Sequence, residues 1–547
     1  MKYYYLLFVL VILPIVACAD PVEINGIWYN LIPKGNAAEV TSNPNHHTNG
    51  DEYSYAGEIT IPESVEYDGY TYNVVSILGG AFSLNSELTA VTIPNSITKI
   101  GQYAFSGCEN LKSVSIGNKV GEIGEYAFND CKNLESVYIT DLAAWLNINF
   151  CQNVQHIGEL SSQPLIYAKK LYINNVEVKE LTFPETITSV NNEAFYGYCG
   201  LISLEIPSNV TSIGERSFRG CKNLNSIILH DGITFIPDGA FCGCSSLSSL
   251  TIPNSVTRIG DFHGTYSGGA FEGCISLTSI TFPNNLSSIG DCAFRGCSGL
   301  TSLTIPNSVT KICAGAFMGC SSLTSITIPN NVTQIQGDSY AGGAFQNCSN
   351  LVSLILGENI VSIGEKAFGN CNKLEDVYCY AEEVPSIATN ALESSYIEYI
   401  TLHVPAILVS DYRGEDGDPY SYNLWSNFKE IVALDGALPE TPKCAKPEIN
   451  FANGKVSFSC ATEGVEYISE VTVTDAHKYY DSEIDLSQTY KVSVFATKTN
   501  YINSDVTTRE IIITGNGKAI VVGDVDGDGK VNAADHVKLS NIIMEKL

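Results

Sequence analysis

Charge is scarce in this sequence: Asp, Glu, Lys and Arg together make up 16% of 547 residues, against about 25% in an ordinary soluble chain. Base is scarcer than acid, with 30 Lys and Arg against 59 Asp and Glu and a formal net charge of −29. Nucleic acid and anionic membrane surfaces are held by Lys/Arg clusters, so this balance argues against both as partners. Tryptophan is nearly missing, with 3 residues, which weakens any reading built on aromatic platforms for sugars. After the N-terminal residues, no apolar run reaches the roughly 18 residues of a membrane-spanning helix. The His residues at 46, 47, 156, 230, 263, 403, 477 and 536 are scattered without a recurring partner. Phosphate loop, nucleophile elbow and zinc pattern are all absent, so catalysis is not expected.

What is present is apolar and regular. Hydrophobic residues make up 44% of the chain, enough for a large core. Met1-Lys2 and the apolar run Tyr3 to Ala17 read as a secretory signal peptide over residues 1–19, too short for a membrane span. Two cleavage readings compete there. Ala17-Cys18-Ala19 before Asp20 fits small-x-small processing, whereas Ile15-Val16-Ala17-Cys18 resembles a lipobox whose Cys18 would be acylated. Either way the protein is expected to be secreted or held at a bacterial outer surface.

A strict repeat dominates the middle. The motif Leu300-Thr-Ser-Leu-Thr-Ile-Pro-Asn-Ser-Val-Thr-Lys-Ile-Cys-Ala-Gly-Ala-Phe-Met-Gly-Cys320 recurs with its Phe at 82, 105, 128, 195, 218, 241, 271, 294, 317, 345 and 368. Seven of the ten gaps are 23 residues, and the others are one period plus 44, 7 or 5. Alternation puts Leu303 and Ile305 on one face of a strand, and Pro306 ends it. Val309 with Ile312, then Ala316-Phe317, supply two more apolar corners, the last expected as a short helical turn. No unit buries three corners alone, so stacked units form a solenoid. The expected fold class is an α/β repeat solenoid, β-rich with short helical turns. Cys108, Cys131, Cys221, Cys244, Cys274, Cys297, Cys320, Cys348 and Cys371 all follow the repeat Phe by three residues, with Cys199 one position late. That is a ladder of buried thiols rather than a disulfide framework or a zinc site, whose ligands must converge.

The Ile-Pro, Ile-Gly and Ala-Phe-x-x-Cys landmarks resemble the 23-residue BspA-like leucine-rich repeats of Bacteroides-type surface proteins, over about residues 58–436. The resemblance implies an exported, non-catalytic, adhesin-like protein that binds a protein ligand on a host or bacterial surface. The expected organisation is a β cap at 20–57, the solenoid at 58–436 with a stack-breaking insert at about 141–180 and a terminal cap at about 396–436, and a linker at 437–445. A small fibronectin type III-like all-β sandwich at 446–515 and a calcium repeat at 520–547 follow.

Outward strand positions form rows of Ser and Thr, and the large exceptions Tyr138, Glu205, Ile228, Ile355 and Tyr378 are the candidate ligand anchors. The Ser/Thr rows leave carbohydrate binding as a further reading. His46-His47 is read as a solvated loop, and Cys444 with Cys460 as a pair that export would allow.

Near the end, Asp524, Asp526, Asp528, Asn532 and Asp535 place oxygen side chains at loop positions 1, 3, 5, 9 and 12. Gly529 provides the sharp turn, and Lys530 offers its carbonyl at position 7. This is an EF-hand-like shell for Ca²⁺, a hard cation that takes carboxylate-rich sites. It resembles one dockerin type I repeat, which implies a cohesin-like partner and tethering into an extracellular polysaccharide-handling complex.

Overall fold

The computed structural model describes residues 20–44, 55–151, 162–261, 268–415, 424–434, 445–452, 455–462, 466–475, 479–480, 483–484, 488–497, 504, 507–513 and 519–522. The signal segment with Cys18, His46-His47, Cys444 and the whole calcium loop Asp524 to Asp535 lie outside the described residues. The chain is a β-solenoid of about 13 turns with little helix. It divides into two compact units: Met1–Leu181 with Ser189–Ile202 and Gly214–Asn223, and Thr182–Thr188 with Ser203–Ile213 and Leu224–Leu547.

The first unit opens on antiparallel strands Val22–Ile24, Ile27–Ile32 and Ala37–Thr41, the first two joined by Asn25 and Gly26 at positive φ. Ala37–Thr41 then pairs in parallel with Tyr70–Ile77, which starts the ladder Lys99–Ile100, Glu122–Ile123 and Asn149–Phe150. A second parallel sheet runs through Gly57–Thr60, Leu88–Thr92, Ser113–Ser115, Ser136–Ile139 and Lys170–Ile173.

At the third corner the expected helical turns are replaced by successive β-turns. Ala104, Ser106 and Cys108 donate back three residues, while Tyr103, Phe105 and Gly107 donate to Glu125, Ala127 and Asn129 of the next coil. Alternate N–H groups thus join a third intercoil ladder and cannot close helical bonds. Tyr103 and Gly107 adopt positive φ to allow it. Among the described residues, the α-helices are Leu142–Leu146 and Val409–Tyr412.

The 141–180 insert contributes Asn149–Phe150 to one sheet and Lys170–Ile173 to the other. Both sheets end within it, the second where Val176–Glu177 turns back antiparallel on Lys170–Ile173, and a new sheet begins at Glu180–Leu181. Apolar burial holds it in place: Trp145 and Leu165 are buried, and Trp145 Nε1 and Gln163 Nε2 both donate to the Ala194 carbonyl at 2.9 and 3.1 Å.

In the second unit, Ser325–Ile328, Ser353–Leu356, Asp376–Cys379, Thr401–Val404 and Glu430–Ala433 pair in parallel. A companion ladder runs from Phe235–Ile236 to Ser386–Ile387. Stacked phenylalanines form the core of each unit. Phe82, Phe105 and Phe128 lie 5.0 and 5.1 Å apart in the first. Phe241, Phe271, Phe294, Phe317, Phe345 and Phe368 lie 5.3 to 5.5 Å apart in the second. Each such buried ring contributes about 1.5–3 kcal/mol of transfer free energy. Residues 448–522 carry the antiparallel pair Glu448–Ala452 with Lys455–Ser459, and a four-stranded antiparallel sheet of Glu466–Asp475, Gln488–Thr497, Thr507–Ile513 and Ala519–Val522.

Candidate functional site

Strand alternation decides what the solenoid shows to solvent. In Ser136–Ile139, Val137 and Ile139 are buried, so Ser136 and Tyr138 face out. In Asp376–Cys379, Val377 and Cys379 are buried, and Asp376 and Tyr378 face out. Parallel register then sets each outward residue beside its counterpart one coil away.

In the first unit the outward row reads Thr60, Thr92, Ser115, Tyr138 and Tyr172. The rings of Tyr138 and Tyr172 stack at 4.8 Å and 9°. In the second unit one row reads Thr327, Ile355, Tyr378, His403 and Val432. Tyr378 and His403 stack at 4.2 Å and 11°. Rings stacked across neighbouring coils cover each other's faces, so their edges and polar atoms point outward. Each pair therefore rises as a ridge beside small hydroxyl-bearing side chains.

The row two residues earlier in the second unit reads Ser325, Ser353, Asp376, Thr401 and Glu430. Asp376 Oδ1 lies 3.0 Å from His403 Nε2. A second imidazole–carboxylate contact joins His230 Nε2 to Glu205 Oε1 at 2.9 Å, next to half-exposed Ile228, which is in register with Glu205. Two of the histidines read as scattered thus have carboxylate partners on the sheet face. Of the five anchors expected from sequence, Glu205 and Ile228 are brought together, and so are Ile355 and Tyr378, while Tyr138 stands with Tyr172.

Tyr172, His230, Asp376 and His403 were not legible as site residues. Tyr172 lies in the insert and His403 where the period fades, yet Lys170-Leu-Tyr-Ile173 and Thr401-Leu-His-Val404 keep the polar-apolar-x-apolar pattern of the regular strands. That pattern was the available signal. Among the described residues, no three His, Cys, Asp or Glu side chains gather as a metal site, and no helix is long and apolar enough to cross a membrane.

The chain is similar to several solved structures. A leucine-rich repeat protein from Bacteroides ovatus is 24% identical, with 76% of this chain and 100% of that one covered at a TM-score of 0.46. A leucine rich cell surface protein from Faecalibacterium prausnitzii is 23% identical, with 69% and 98% covered at 0.40. The pneumococcal vaccine antigen PcpA is 18% identical, with 76% and 99% covered at 0.47. No curated protein matches the chain. The BspA type Leucine rich repeat region matches in six copies, over residues 58–163, 165–267, 264–343 and 338–412. With more than half of its residues in that match, the chain belongs to the BspA-type leucine-rich repeat family.

Proposed function

We propose that this protein is a non-catalytic, surface-displayed binder whose solenoid strands engage a protein ligand. The observation that carries the reading is the pair of stacked ridges, Tyr138–Tyr172 and Tyr378–His403, on otherwise Ser/Thr-rich strand faces. Large rigid side chains on a flat field are suited to filling a partner's pockets. A protein ligand is favoured over a glycan because each stack covers one face of both rings, which reduces the open ring surface on which a sugar would stack. Export follows from the signal segment at 1–19, with Cys18 either removed or acylated. The strands at 448–522 serve as a fibronectin-like spacer.

The test is a screen of the exported chain, residues 20–547, against immobilised matrix proteins and glycans with and without calcium. Tyr138→Ser and Tyr378→Ser are each expected to weaken any protein ligand found by about tenfold, ~1.4 kcal/mol. Unchanged binding in both variants sinks the reading.

A second assignment rests on the sequence Asp524 to Asp535, whose oxygen ligands have EF-hand spacing. Calcium bound there, through Asp524, Asp526, Asp528, the Lys530 carbonyl, Asn532 and Asp535, stiffens the tail. Calorimetric titration is expected to show one site lost in Asp526→Ala. Deleting residues 523–547, which leaves the strand Ala519–Val522 in place, then separates two roles: loss of complex retention with ligand binding intact favours dockerin-like tethering.

A further inference from the structure

The ridge in the second unit has a chemistry that selects its partner. Asp376 and Glu430 stand in one outward row with Thr401 between them, two coils and so about 10 Å apart. Two residues along the same strands, about 7 Å away, lies the row Ile355, Tyr378, His403 and Val432. The face therefore sets two carboxylates beside an apolar and aromatic strip, with one oxygen of Asp376 against the His403 imidazole at 3.0 Å. Glu375 adds a further exposed acid next to Asp376. Of the nearby bases, Lys373 is turned to the Asn350 side-chain oxygen at 2.7 Å, Arg413 donates to the Ile431 carbonyl at 2.9 Å, and exposed Lys429 lies just before the strand Glu430–Ala433.

We infer that this strip docks a cationic protein segment, one presenting Lys or Arg side chains, and the inference rests on the reading that the strand face binds protein. A Lys or Arg side chain is built for such a surface. Its aliphatic stem covers the edges of Tyr378 and His403 and the side chains of Ile355 and Val432, while its charged head reaches the carboxylates. The chain's net charge of −29 steers a cationic partner toward it and repels an acidic one. Nucleic acid and anionic lipid are disfavoured by the same charge.

The test uses labelled decalysine as the probe, with the exported chain and fluorescence anisotropy in about 150 mM salt. Asp376→Asn with Glu430→Gln is expected to weaken binding about tenfold, and Tyr378→Ser by a similar factor. The control is Glu66→Gln with Glu87→Gln, two exposed acids of the first unit. It removes the same net charge and is expected to change binding by less than about twofold. Equal losses in the site and control variants mean diffuse attraction and overturn the inference. So does failure of the unmodified chain to bind decalysine. If a protein ligand from the screen still depends on Tyr378 in either case, the strand-face reading stands and only the cationic assignment falls. Melting curves of each variant separate lost contact from lost fold.

Discussion

Cysteine at the third corner is a hydrogen-bonding residue here, not a cross-link. Cys108, Cys131, Cys221, Cys274, Cys297, Cys320, Cys348 and Cys371 are buried reduced thiols, each donating to the carbonyl of the repeat Phe one coil earlier at 2.9 to 3.5 Å. Where the row departs from Cys, its members carry oxygen. Ser395 Oγ donates to the Phe368 carbonyl at 2.6 Å, Asn85 Oδ1 accepts from the Tyr55 amide, and the Tyr198 hydroxyl donates to the Val178 carbonyl. Burial pushes the Cys108 and Cys371 thiols up to about 12 and drives those of Cys131, Cys274, Cys297, Cys320 and Cys348 well above their usual value. Iodoacetamide at about pH 8, read by peptide mass spectrometry, is expected to label half-exposed Cys199 and spare the ladder until the chain unfolds. The same shifts fix a pH dependence. A folded thiol keeps its proton to higher pH than an unfolded one at about 8.5, so the unfolded chain releases protons first and stability falls as pH rises. Each ladder thiol withdraws up to about 1.4 kcal/mol per pH unit between that value and its folded one. Urea midpoints at pH 8 and pH 10 check this, and equal midpoints would contradict buried, protonated thiols.

At the scale of one coil, three contacts decide whether the next coil can stack: the inward strand residues, the Phe spine and the glycine after Ile. The spine rings lie nearly parallel, 3° to 13° apart in the second unit, and so add about 0.5–1.5 kcal/mol per pair beyond burial. Phe294→Ala, in mid-spine, is expected to cost about 3–5 kcal/mol in urea unfolding. At Gly290 a Cβ would stand 2.6 Å from the Gly260 carbonyl carbon. Gly290→Ala is therefore expected to lose about 1–3 kcal/mol by forcing two coils apart, although alanine usually favours the folded state. The Ile-Gly landmark was legible in the sequence for this reason: close backbone approach recurs at Gly101, Gly124, Gly214, Gly290 and Gly364, and leaves its mark in those coils. The Ala-Phe-x-x-Cys corner was legible as a position and misread as a helical turn, because composition does not reveal that alternate N–H groups bond between coils. The ridges were half legible. Tyr138 and Tyr378 broke the Ser/Thr rows, but their stacking partners lie 34 and 25 residues away rather than 23, so counting by period misses Tyr172 and His403. Register across the sheet pairs them, and register is a property of the assembled coils.

For the molecule as a whole, the question is which way its charge acts on stability. Most of the ion pairs, such as Lys99–Glu122 at 2.8 Å, Lys366–Glu393 at 3.5 Å and Lys132–Asp130 at 3.5 Å, are well exposed, whereas Arg216–Glu193 at 3.4 Å is largely buried. Exposed pairs contribute about 0–1 kcal/mol each and weaken in salt. Against them stands an excess of acid, 59 to 30, whose mutual repulsion is relieved when the chain expands. Coils contact only their neighbours in a solenoid, so a uniform repulsion weakens every interface a little rather than one of them greatly. Salt screens both effects. If repulsion dominates, raising the salt from about 20 mM to about 500 mM at pH 7 shortens the screening length from about 20 Å to about 4 Å and raises the melting temperature. A rise of several degrees is expected, measured in EDTA so that calcium at the tail does not contribute. A fall would mean that the exposed pairs outweigh the surplus acid. A rise would mean that the surplus acid strains the coils and that screening it relieves them.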